Sequence, residues 1–103
     1  MSLRIVEAQP EQAEEVAALI REAFRPQVAL LGLRPEANPH NAAFETAEMV
    51  RERMARGVVW VGYEGEALAG TVGVQINPEW ASQEAPLDQD FGWIQRLAVL
   101  PEY

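Results

Sequence analysis

The alternation of apolar and polar positions divides the chain into six elements. Leu3 to Glu7 is short, β-branched at its centre and closed by Gln9-Pro10, which predicts a first strand. The period then changes. Val16, Leu19, Ile20, Ala23 and Phe24 recur at helical spacing. Pro10, Glu11, Glu14 and Glu15 suit the positive end of the helix dipole, Arg21 and Arg25 suit its negative end, and Pro26 is expected to stop the helix. Val28 to Leu31 predicts a short further helical piece, and Gly32, Pro35, Asn38 and Pro39 predict a loop. A second helix is predicted from about Glu45 or Thr46 to Arg56, with Met49, Val50 and Met54 inward and Gly57 as a left-handed stop.

The period then drops to two. Val58 to Tyr63 and Leu68 to Ile76 read as a hairpin around Glu64-Gly65-Glu66. On the return strand Leu68, Val72, Val74 and Ile76 share one face, while Ala69, Thr71, Gly73 and Gln75 make the other small or polar. Asn77 to Asp90, with two prolines and Trp80, predicts a loop. Phe91 to Leu100 is apolar on both faces, with Trp93, Leu97 and Val99 on one side and Ile94, Ala98 and Leu100 on the other. That pattern predicts a strand at the centre of a covered sheet. The order β-α-α-β-β-β, without repeat or linker, is an α+β fold in a single domain over 1–103.

Composition narrows the chemistry. At 49% hydrophobic residues and a mean hydropathy of -0.15, the chain has the balance of a soluble globular protein. No apolar run approaches the roughly 20 residues of a membrane span, and the N-terminus lacks a signal peptide's apolar core, so a cytoplasmic protein is expected. With no cysteine and one histidine, thiolate chemistry and a zinc cluster are excluded from these residues and no metal is expected. The net charge of -8 opposes binding to nucleic acid or anionic membrane and suits an amine-bearing partner.

A glycine before the second strand, Ala69-Gly70-Thr71-Val72-Gly73 on the third, and Leu97-Ala98-Val99-Leu100-Pro101-Glu102-Tyr103 ending the fourth resemble the GCN5-related N-acetyltransferases over the whole chain. The resemblance implies the N-terminal half of the acyl-CoA N-acyltransferase fold, with a mostly antiparallel sheet. It also implies that the complete protein transfers acetyl from acetyl-CoA to a small-molecule or peptide amine by direct attack. By position it places the pantetheine contacts on the main chain of Leu97, Ala98 and Val99, where an amide would polarise the thioester carbonyl. In the family a glycine-rich pyrophosphate loop follows these residues. The last glycine here is Gly92, so these 103 residues alone are expected to hold coenzyme A poorly and to be inactive. The alternative is a catalytically inactive GNAT-like module whose open fourth-strand edge pairs with another copy to form a homodimer. An unrelated small α+β domain with the same strand pattern is a third reading.

An attacking amine must lose a proton, and the weak catalytic candidates are Glu79, Glu84, Asp88 and Asp90 on the loop before the fourth strand. Each also reads as an ordinary solvated carboxylate. The resemblance would put a Glu near Trp93, with Gln95 beside it, so that carboxylate is not carried over. Leu33, His40, Phe44 and Trp80 are candidates to line the acceptor pocket; loop polarity and helix packing account for them equally well. Arg96, on an apolar strand, is expected to pair with a carboxylate, and Arg51, Arg53 and Arg56 to stabilise the end of the second helix.

Overall fold

Four antiparallel strands lie in chain order in one sheet: β1 (Leu3–Glu7), β2 (Val58–Glu64), β3 (Ala67–Ile76) and β4 (Gly92–Val99). Helices α1 (Ala13–Leu31) and α2 (Ala47–Arg56) cover one face. The computed structural model describes residues 3–76 and 92–103. This is the predicted α+β order, with every described strand pair antiparallel.

Periodicity placed the core correctly. Val16, Leu19 and Ile20 of α1 and Val50 of α2 are buried with Val59, Val61 and Ala98, and Ala23, Phe24 and Met54 pack around them. Each helix start has its own device. Pro10 opens a short 3-10 turn ahead of α1, and Thr46 caps α2, its hydroxyl accepting from the Met49 N–H at 3.2 Å.

Local expectations are corrected at Pro26 and Gly57. Helix α1 runs through Pro26 to Leu31, because one proline removes a single N–H while the good helix formers after it carry the ladder on. It ends at Gly32, whose φ of 63° closes the helix with an N–H to the Val28 carbonyl. Gly57 is extended rather than left-handed. It is needed because a Cβ there would stand 2.2 Å from the Val74 carbonyl oxygen.

The hairpin forms as predicted, with Glu64 opposite Ala67 and the positive φ of the turn carried by Gly65. A register shift leaves Ala69 as an extra residue opposite Gly62 and Tyr63. Leu68 therefore turns with Tyr63 toward the helix-side core, away from the face of Val72. The face that the helices cover is the small one: Ala69, Thr71 and Gly73 are buried. Strand β4, expected at the centre of a covered sheet, is an edge among the described residues, and Ile94, Leu97 and Val99 are exposed on it.

Candidate functional site

The site is built on an irregularity in β4. Thr71 pairs with Ala98 and Gly73 with Gln95, so Val72 alone faces the two residues Arg96 and Leu97. This β-bulge breaks the period of two. Leu97 and Val99 stay on the face away from the helices, but the extra residue turns Gln95 to the helix side and puts Ile94 opposite Val74. Ile94 is thereby corrected from the side of Ala98 and Leu100. Arg96 has a φ of 51° and is the non-glycine residue with positive φ among those described. The left-handed region costs an L-residue about 1–2 kcal/mol, so the surroundings must hold Arg96 there.

They do so through its side chain. Nε donates to Glu45 Oε1 at 3.2 Å, and Nη2 donates to the carbonyl of His40. Glu45 is fully buried and also pairs with Arg53, while its own carbonyl accepts from Arg21 Nη1 at 2.7 Å. The Glu45 carboxylate thus ties the body of α2 to the bulge, and its main-chain carbonyl ties the same residue to α1. Arg53 reaches it by laying its stem across Gly73, where a Cβ would come 3.7 Å from the Arg53 side chain.

Beside this network lies a cavity of about 170 Å³, lined by His40, Arg53, Arg56, Gln75, Gln95 and Arg96 together with Met49 and Glu52. Gln95 Nε2 donates to Gln75 Oε1 at 3.4 Å across its floor. On the opposite face of the sheet Leu3, Ile5, Trp60, Val72, Leu97 and Tyr103 line an apolar groove of about 550 Å³.

Between these two spaces runs the edge of β4, free among the described residues. The Leu100 N–H donates to the Ala69 carbonyl at 2.9 Å, which makes that pair a hydrogen-bonded one. In an antiparallel ladder bonded and non-bonded pairs alternate, so the Ala98 main chain also faces β3. The amides and carbonyls of Leu97 and Val99 then point outward, ready to pair with an extended ligand.

The structure brings part of the expected set together. His40 lines the polar cavity and is joined to Arg96 through its carbonyl. Leu97 and Val99 stand at the free edge, whereas Ala98 is buried against the helices. Leu33 and Phe44 are half-buried and do not line the cavity. Glu79, Trp80, Glu84, Asp88 and Asp90 lie outside the described residues. The expected carboxylate partner of Arg96 is Glu45, which sequence reasoning had placed simply at a helix start. Arg53, expected to stabilise the end of α2, instead turns inward to the same acid. A surplus of arginine near one acidic residue was the available signal, but Glu45 and Arg96 are 51 positions apart.

No family model matches the chain, and no curated protein matches it in sequence. Solved structures do resemble it. A GNAT-family acetyltransferase from Streptococcus agalactiae 2603 superposes with a TM-score of 0.69 at 20% identity, covering 97% of this chain and 60% of its own. A GCN5-related N-acetyltransferase from Ralstonia eutropha JMP134 gives 0.62 at 18% identity, covering 99% and 65%. An aminoglycoside acetyltransferase from an uncultured soil metagenomic sample gives 0.59 at 18%, covering 100% and 61%. The chain thus spans less than two thirds of the length of each. Nearly all of its 103 residues superpose in every case, and the chain therefore has part of the GNAT acetyltransferase fold.

Proposed function

We propose that these residues are the N-terminal part of an N-acetyltransferase domain, and that the complete protein moves an acetyl group from acetyl-CoA to an amine. The observation that carries the reading is the edge of β4 just past the bulge, free among the described residues, on a fold shared with acetyltransferases. A pantetheine arm has amide donors and acceptors of its own and fits an edge that offers them at Leu97 and Val99, as an added strand would. This revises the contact set by removing the Ala98 main chain, which β3 already uses. Acetyl-CoA supplies the thioester. The chain's part is to hold that group extended along β4 and to aim an amide N–H at the oxygen that gains charge. The acceptor nitrogen bonds to the acyl carbon, the C–S bond breaks, and the proton lost by the amine balances the departing thiolate.

The absence of cysteine supports a reducing, cytoplasmic setting. Among the described residues no helix is long and apolar enough to cross a membrane. These 103 residues add no thiol of their own to an assay that reads free coenzyme A with a thiol reagent. Acetyl-CoA titrated calorimetrically into the full-length gene product should bind saturably, and an amine should then release thiol. No binding at millimolar acetyl-CoA would refute the proposal.

A second reading, a self-associating module, is favoured by the open apolar face, where Leu3, Ile5 and Leu97 are each more than 60% exposed. It predicts a dimer in light scattering, and a monomer at high concentration would remove it.

A further inference from the structure

We propose that the polar cavity between α2 and β4 is a carboxylate site, and that the acceptor is a small amine that also bears a carboxylate, of amino-acid size. The second half of the statement rests on the acetyltransferase reading; the first does not.

Charge is the first argument. Three guanidinium groups, those of Arg53, Arg56 and Arg96, line the cavity. Glu52 on the wall and Glu45 behind it are the carboxylates against them, which leaves a local surplus of one positive charge in a chain of net charge -8. Bulk acidity favours a basic partner, but recognition depends on the groups within reach of the ligand.

Unused donors are the second argument. The Arg53 Nε–H is buried and has no acceptor among the described residues. Arg56 has no ion-pair partner among them, and Arg96 spends only Nε and Nη2 on Glu45 and His40. A planar carboxylate accepts two such donors side by side, which is the geometry guanidinium favours. Gln75 and Gln95 add neutral polar walls. The carbonyls at the C-terminal end of α2 oppose an anion, but that effect is confined to the last turn and is weaker than a charge-assisted bond.

Size and place complete the case. About 170 Å³ holds a carboxylate with a few carbon atoms, not a drug-sized ligand. Arg96 belongs to both sites, with its side chain on the cavity and its main chain in the bulge next to Leu97. A ligand anchored by its carboxylate is therefore held beside the edge assigned to the thioester.

The test titrates L-leucine and L-leucinamide into the full-length protein without acetyl-CoA, following the arginine Nε–H resonances by NMR. Leucine should bind roughly tenfold more tightly or better, the scale of a charge-assisted bond. Arg56→Gln, at an exposed position, should cut that preference at least threefold, with circular dichroism checking the fold. Equal binding of the two probes, or a preference that survives Arg56→Gln undiminished, overturns the site. Acetyl transfer by the same protein is then measured on both amines. A leucine preference in binding without transfer supports the site and refutes the acetyltransferase reading, whereas transfer without the binding preference does the reverse.

Discussion

Replacing Glu45 by Gln keeps its shape but removes the charge and turns one of its two acceptor oxygens into a donor that faces an arginine. The carboxylate is fully buried, and of its two guanidinium partners Arg53 is 14% exposed and Arg96 30% exposed. Arg53 would then be a buried cation without a counter-ion, a change that costs about 3–5 kcal/mol in buried pairs. Arg96, better solvated and still bonded to the His40 carbonyl, adds little. We expect a loss near the lower bound, about 3 kcal/mol, against a total of about 5–15 kcal/mol for a domain of this kind. In urea that moves the midpoint down by about 1–3 M, and in a thermal melt it lowers Tm by roughly 12–24 °C. The double variant Glu45→Met, Arg53→Met removes both charges and should recover most of the loss, because apolar packing replaces buried ion pairs at little net cost. A loss below about 1 kcal/mol for Glu45→Gln, or a double variant no better than the single one, would refute the idea that this carboxylate holds α2 to the bulge.

Other consequences can be checked in the same assays. Gly57→Ala forces a methyl group against the Val74 carbonyl and should cost about 3 kcal/mol by chemical denaturation, the upper range for overpacking. Thr46→Ala removes the cap on α2 and should lower stability by about 1 kcal/mol, read as a shifted urea midpoint at constant slope. Lysine at both Ile5 and Leu97 should reduce binding of a hydrophobic dye and any dimer seen in light scattering, with little change in the fold, since both side chains are already exposed.

Elements that depend on local period were readable from the chain. The stripe from Val16 to Phe24, the stripe of α2 and the hairpin at Gly65 each express neighbours a few residues apart. What was not readable depends on a single residue or on distant partners. Pro26 failed as a stop because its neighbours on both sides favour helix. Gly57 serves a close approach to β3 that no local rule reveals. The extra residues at Ala69 and Arg96 reverse the facing of Leu68 and Ile94, and an arginine in a left-handed conformation carries no compositional marker. Half of the candidate site was therefore visible: the stretch Leu97 to Val99, His40 and the ionic role of Arg96. The cavity was not, because Gln75, Gln95 and the arginines meet only once β3, β4 and α2 are assembled.

The bulge also predicts how this segment tolerates genetic change. Substitutions in β4 act one side chain at a time, whereas an in-frame loss of the Arg96 codon would let the strand pair without its extra residue. Leu97 would then pair with Val72 alone while Gln95 stays opposite Gly73 and Ile94 opposite Val74, so every residue keeps its face. Register in β4 should thus survive the loss of this one residue, while the tie that Arg96 makes from the strand to Glu45 and His40 is lost with it.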